Sequence, residues 1–146
     1  MKLTVLATGS SGNASIVTGE NETIALDFGL SFKKWHTLLE KYDLKEPDEL
    51  FITHSHGDHA NESGLSRLIK VMPTIKIHTN RGTFETAEFE VEAFLVAHDV
   101  ECHSFIITEK ATKEKLVYAT DVNGLYETFT REDIFEHAKD CLLYTS

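Results

Sequence analysis

His54-Ser55-His56-Gly57-Asp58-His59 brings four side chains of the metal-ligating kind into six consecutive residues. The segment Glu49–Thr53 just before it contains a short apolar run that predicts a strand. Alternate residues of an extended chain point the same way, so His54, His56 and Asp58 are expected on one side. Four such ligands suit two neighbouring metal ions better than one. Imidazole with carboxylate leaves zinc, manganese and iron all open.

A histidine-rich surface loop is the alternative interpretation of this segment. The chain has 8 histidines in 146 residues, so three within six residues are an improbable coincidence. The remaining histidines are more ordinary. His36 lies beside Trp35 in a predicted helix and is expected to be a half-buried packing residue. None of His36, His78 and His137 is predicted to be a ligand.

Outward from this segment, hydrophobic periodicity predicts alternating strands and helices. Strands are predicted at Lys2–Ala7, Ser15–Thr18, Thr23–Asp27, Ile75–His78, Glu92–Ala97, His103–Thr108 and Lys115–Ala119. Helices are predicted from the N-cap Ser31 to Tyr42, from Leu65 to Met72, over Arg81–Phe89, and over Arg131–Lys139 after the N-cap Thr130. This order predicts an α/β fold of the layered α+β kind.

Composition narrows the class of protein. The chain has the length of one domain and an ordinary hydrophobic fraction of 41%. Its net charge of −10 argues against a broad nucleic-acid surface but leaves room for a local basic path. The sequence contains no apolar run long enough for a membrane span. Two cysteines are too few for a disulfide framework, so the cytoplasm is the simplest compartment.

The string HSHGDH resembles the HxHxDH motif of the metallo-β-lactamase superfamily, between a strand and a helix as that fold requires. The di-iron flavoprotein branch of the superfamily carries Glu at the position that His56 occupies here, so His56 favours the hydrolase branch. The resemblance implies the N-terminal half of an αββα sandwich. It also implies His54 and His56 as ligands of one metal, and Asp58 and His59 as ligands of the other. Asp58 would in addition be catalytic, orienting a metal-activated hydroxide and accepting its proton.

Three further positions extend the resemblance to about residue 125. Asp27 resembles the first motif, an aspartate that orients the ligands, although it could equally cap the turn before Gly29. His98 resembles the third motif, the last histidine of metal one, and without the family it is a plain strand-end histidine. Asp121 resembles the fourth motif, the carboxylate that bridges both metals.

Two details resemble one group within the superfamily, the YycJ/WalJ-like proteins. They are Gly9-Ser10-Ser11-Gly12-Asn13, which is otherwise a tight turn, and His98-Asp99-Val100. This group is linked to phosphodiester cleavage through exonuclease relatives, so nucleic acid is the expected substrate.

The family's fifth motif, a late histidine, has no counterpart assigned here, and the second β-half of the family domain is missing. Residues 1–140 are therefore expected to be a partial domain. Residues 141–146 resemble the translation of a transposase adaptor end, so they are expected to be a non-native tail.

Three hypotheses of function follow. The first is a metal-dependent phosphodiesterase or nuclease with two divalent ions, zinc foremost, and manganese or iron as alternatives. The second is another hydrolase of the same fold that cleaves a thioester or a lactam. The third is a truncated, catalytically inactive metal-binding fragment. No membrane association is expected.

Overall fold

The computed structural model describes residues 1–96 and 100–120, and the backbone alone of residues 141–145. The chain divides into two compact units, Met1–Thr79 and Asn80–Ser146. Each unit contains a five-stranded sheet, and the two helices among the described residues lie in the first unit, so the predicted α/β class is confirmed. Neither of these helices is long and apolar enough to cross a membrane.

The first unit is a five-stranded sheet in the order β1-β2-β3-β4-β5. Its strands are β1 Lys2–Ala7, β2 Ala14–Thr18, β3 Thr23–Leu26, β4 Glu49–Phe51 and β5 Lys76–His78. The first three strands form an antiparallel meander, whereas β3, β4 and β5 are parallel to one another. Parallel neighbours need crossovers, and the two helices supply them: α1 Phe32–Lys41 and α2 Glu62–Val71.

Both helices begin where the sequence supplies a cap. The Ser31 hydroxyl accepts a hydrogen bond from the Lys34 amide at 3.3 Å, and the Asn61 side chain accepts one from the Gly64 amide at 2.8 Å. Ser31 was predicted as a cap. The second helix begins at Glu62, three residues before the predicted Leu65. The prediction missed this first turn because it is polar and carries no apolar periodicity.

The core of the first unit lies between one face of the sheet and the two helices. Ile16, Ala25 and Leu50 stand opposite one another in the strand registers and therefore share that face. Trp35 of α1 and Leu68 of α2 are fully buried in the same cluster. This packing fixes the ends of β3 and β4 relative to both helices.

The second unit is a five-stranded sheet in the order β10-β9-β8-β7-β6. Its strands are β6 Gly82–Glu85, β7 Phe89–Val96, β8 Cys102–Glu109, β9 Lys115–Ala119 and β10 Cys141–Thr145. Strands β6 to β9 are antiparallel in chain order, and β10 runs parallel to β9. The predicted strands at Glu92–Ala97, His103–Thr108 and Lys115–Ala119 fall on β7, β8 and β9.

The predicted helix over Arg81–Phe89 is wrong, because this segment forms a hairpin. Gly82 has a φ of +142°, which no right-handed helix contains. The Thr86 amide donates to the Phe89 carbonyl at 2.9 Å, and the Phe89 amide donates to the Thr86 hydroxyl at 3.0 Å. These bonds close the turn between β6 and β7. The weak helical period over these nine residues stabilises a helix less than pairing with the neighbouring strand stabilises the hairpin. The helix predicted over residues 131–139 lies outside the described residues.

Candidate metal centre

The HSHGDH segment occupies the loop between β4 and α2. The sequence had suggested that the ligand-type residues continue an extended strand. β4, however, ends at Phe51, before the first of them. The chain instead turns sharply, and the His56 carbonyl accepts hydrogen bonds from the amides of His59 at 2.9 Å and Ala60 at 2.8 Å. This turn brings His59 back beside the residues that precede it.

The loop gathers the side chains of His54, His56 and Asp58. One ligand atom of each lies within 4.8 Å of the ligand atoms of the other two. The imidazole rings of His54 and His56 meet edge to face, with centroids 4.8 Å apart. His54 is buried, while His56 and Asp58 are partly exposed, so one side of the cluster faces solvent. Two imidazoles and a carboxylate form the donor set of many catalytic zinc sites.

His59 lies on the buried side of this cluster. Its ring centroid is 4.2 Å from that of His54, and its Nε2 is 3.6 Å from Asp58 Oδ2. The same Nε2 lies 3.2 Å from the side-chain nitrogen, Nδ2, of Asn13. The compact triad therefore comprises His54, His56 and Asp58, with His59 next to it. The assignment of His54 and His56 to one metal and of Asp58 and His59 to the other stays a prediction.

Asp27 lies directly beneath the cluster and is completely buried. Its carboxylate accepts hydrogen bonds from the Thr53 amide at 2.7 Å, from the Thr53 hydroxyl at 2.9 Å, and from His59 Nδ1 at 2.7 Å. Burial raises the pKa of this carboxyl above its ordinary value, and the hydrogen bonds from His59 and Thr53 oppose that rise. Asp27 has a φ of +62°, a conformation that aspartate tolerates better than most residues.

Thr53 joins Asp27 to the first histidine of the segment, a role that the sequence analysis missed. Its Oγ1 lies 2.8 Å from His54 Nδ1. The hydroxyl proton of Thr53 goes to Asp27, which only accepts, so the hydroxyl oxygen accepts the proton of His54 Nδ1. Nε2 is then the nitrogen of His54 that can bind a cation. The signal in the sequence was a hydroxyl residue directly before the motif.

The loop after β1 forms a second support. The Asp58 carbonyl accepts two hydrogen bonds from Asn13, one from its backbone amide at 2.7 Å and one from its side-chain Nδ2 at 3.0 Å. Gly29 lies against the same peptide, where a Cβ would overlap the Asp58 carbonyl. The Gly9–Asn13 turn thus fixes the backbone of the ligand loop, which gives the GSSGN string a structural function.

His36 and His78 were not predicted to be metal ligands, and both lie near carboxylates outside the cluster. His36 lies near carboxylates of Glu40 at 3.4 Å and Glu46 at 3.3 Å, and His78 near Glu49 at 3.0 Å. Neither belongs to a metal-binding group in the part of the chain that the structure describes. His98, Asp121 and His137 lie outside the described residues.

The residues present fit a divalent cation. In metal sites, a coordinating histidine donates its second ring nitrogen to a carboxylate or another acceptor, which fixes its orientation. His59 meets this criterion through Asp27, and His54 meets it through Thr53. The role of Asp27 as a residue that orients metal ligands stays a prediction, and its hydrogen bond from His59 supplies the geometry that this role requires.

Comparisons with known proteins add to this geometry. A family model described as the metallo-beta-lactamase superfamily matches residues 7–137. The exodeoxyribonuclease YycJ of Bacillus anthracis is 31% identical over 122 residues, which cover 68% of this chain and 46% of that protein. The exodeoxyribonuclease WalJ of Streptococcus pneumoniae is 38% identical over 66 residues, covering 44% and 24%. The chain thus spans less than half the length of either relative.

The fold is also found among solved structures. A metallo-β-lactamase with a HARLDQ motif from Cronobacter sakazakii superimposes with a TM-score of 0.65 at 13% identity, covering 95% of this chain and 73% of that one.

Proposed function

The chain belongs to the metallo-β-lactamase superfamily, and on that premise we propose that it is a metal-dependent phosphodiesterase of the nuclease type. The observation that carries this proposal is the convergence of His54, His56 and Asp58, held from beneath by Asp27 and Thr53. The YycJ and WalJ relatives are both named exodeoxyribonucleases, which favours DNA as the substrate.

His54, His56, Asp58 and His59 would hold two divalent ions, and we propose that His98 and Asp121 complete their coordination. Zinc is the first choice for imidazole and carboxylate ligands, with manganese or iron as alternatives. When bound, such ions polarise a phosphoryl oxygen and lower the pKa of bound water to near neutrality.

The chain's own side chains orient the reacting groups. Asp27 fixes the ring of His59, and Thr53 fixes the ring of His54, so neither imidazole has to reorganise during a reaction. Asp58 is partly exposed at the edge of the cluster, where its carboxylate can accept a proton from the attacking water. We place this activity in the cytoplasm, because the chain's cysteine content provides no disulfide framework.

Metal content and hydrolysis measured on the same preparations test the proposal. The purified chain would be reconstituted with zinc, manganese or iron(II). It would be assayed against labelled single-stranded DNA, bis(p-nitrophenyl) phosphate, a chromogenic cephalosporin and a thioester. We expect cleavage of the phosphodiesters and not of the lactam or thioester.

His56→Ala should lower the bound metal by at least one equivalent and abolish turnover, whereas His36→Ala should leave the bound metal unchanged. His36 is a matched control because it is a histidine of the same unit that pairs with carboxylates outside the cluster. A His56→Ala protein with full metal content and activity would overturn the assignment. Lactam or thioester cleavage without phosphodiester cleavage would replace the proposed substrate class.

A further inference from the structure

A cavity lies over the first turns of the two helices. It has a volume of about 490 Å³, and its lining includes Ser31, Lys33 and His36 from the α1 side and Ser63 and Arg67 from α2. Both helices present their N-terminal ends here, and each is ten residues long. The amide groups at such ends carry partial positive charge, which favours an anion.

A second cavity of about 790 Å³ continues this surface along α2. It shares Ser63 and Arg67 with the first and extends to Lys70 in one direction and Gly57 in the other. Gly57 separates His56 from Asp58, so the surface begins at the metal loop itself. We call the two cavities together the basic groove.

The charge of the basic groove is opposite to that of the chain. Lys33, Arg67 and Lys70 are all exposed, and none forms an ion pair within the described part of the chain. Glu62 is the one carboxylate among the described lining residues, and His36 is held by glutamates. Three cations against one acid leave an excess of two positive charges, in a chain whose net charge is −10.

The geometry favours a strand over a small anion. Ser63, Arg67 and Lys70 are spaced i, i+4 and i+7, so they lie on one face of α2 over a rise of about 10 Å. Lys33 extends the row on α1. A row of cations with serine hydroxyls between them matches a repeating phosphate backbone, and its contacts read no base sequence.

We propose that the basic groove binds the phosphate backbone of a single DNA strand and leads it to the metal loop. This inference rests on the proposed function, because a strand that reaches Gly57 lies beside His56 and Asp58. It adds the contacts that would hold the uncleaved part of the strand. The cations act by charge and hydrogen bonding alone and take no part in bond cleavage.

Fluorescence anisotropy with a 5′-labelled 20-nucleotide oligothymidylate tests the proposal. Binding is measured in EDTA, so that metal-dependent cleavage and metal-bridged binding do not contribute. The test variant is K33A/R67A/K70A. The matched control is K2A/K41A/K76A, which removes the same charge from exposed positions of the same unit outside the groove. Circular dichroism checks that both variants are folded.

We expect the groove variant to raise the Kd at least about tenfold at low salt. Its slope of log K against log salt should fall by about 2, since each phosphate contact to a single strand contributes about 0.7. The control should stay within about twofold of the original chain. Equal weakening by both variants, or no DNA binding by the original chain, would overturn the groove. Groove-dependent binding without hydrolysis under any metal would instead leave the groove standing and refute the proposed enzymatic function.

Discussion

At the scale of single residues, the site depends on side chains that would not themselves bind a metal. Asp27 and Thr53 form a buried pair beneath the ligands, and together they engage Nδ1 of both His54 and His59. Burial makes each of these hydrogen bonds matter, because a buried donor left without its acceptor costs about 1–3 kcal/mol.

Thr53→Val removes one hydroxyl and leaves the shape of the side chain nearly unchanged. His54 Nδ1 then loses its acceptor, so we expect zinc affinity to fall about tenfold to a hundredfold. The free energy of unfolding should fall by about 1–3 kcal/mol. Isothermal titration with zinc and urea denaturation measure the two effects.

Two further variants separate positioning from simple packing. Thr53→Ser retains the hydroxyl and should restore most of the zinc affinity. Thr37→Val removes a threonine hydroxyl that donates to the Lys33 carbonyl on the exposed face of α1, and it should leave zinc binding unchanged. Wild-type affinity in Thr53→Val, or no recovery in Thr53→Ser, would contradict the proposed link to His54.

At the scale of elements, the site is an assembly of loops fixed by close backbone contacts. The Gly9–Asn13 turn, the loop after β3 and the ligand loop all meet at the Asp58 peptide. Asn13 donates to the Asp58 carbonyl, and Gly29 packs where no side chain would fit.

Gly29→Ala tests this contact, because the added methyl would overlap the Asp58 carbonyl. Overpacking of this kind costs about 1–3 kcal/mol when the surroundings can shift. We expect a loss of at least that size in urea denaturation, together with weaker zinc binding. Gly57→Ala is the matched control in the ligand loop itself, where an added Cβ meets nothing within 4 Å. Equal stability of the two variants would show that the three segments do not pack as described.

Local sequence patterns predicted most helices and strands, but they could not show where pairing with a distant strand overrides a local helical pattern. The apolar segments at Lys2–Ala7 and Lys115–Ala119 matched their strands to the residue. The helix predicted over Arg81–Phe89 was wrong. The segment has a weak helical period, but the positive φ of Gly82 and the turn at Thr86 place it in a hairpin. Cross-strand partners far along the chain decided that segment, and periodicity carries no information about them.

At the scale of the whole molecule, the sequence predicted the ligand cluster better than its supports. His54, His56 and Asp58 were predictable because their residue types and spacing carry the chemistry. Asp27 required the family resemblance. Thr53 and Asn13 were missed because their roles depend on segments 26 and 45 positions apart that meet only in the folded chain.

The charge distribution adds a second level of organisation. An acidic chain argues against a broad nucleic-acid surface, yet the basic groove of the first unit carries three cations that form no ion pair with any residue the structure describes. A local positive potential of this kind raises the local concentration of a polyanion, whereas the negative charge of the rest of the chain repels it. Net charge alone therefore could not have located the basic groove.

The central claim is that the HSHGDH loop binds a metal, and anomalous diffraction at the zinc edge from crystals of the zinc-soaked chain tests it most directly. We predict a peak about 2.0–2.2 Å from a ring nitrogen of His54 and a ring nitrogen of His56, with a carboxylate oxygen of Asp58 at the same distance from this zinc ion or from a neighbouring one. Zinc bound only at other residues, or no peak at this loop in crystals that contain zinc, would contradict the account.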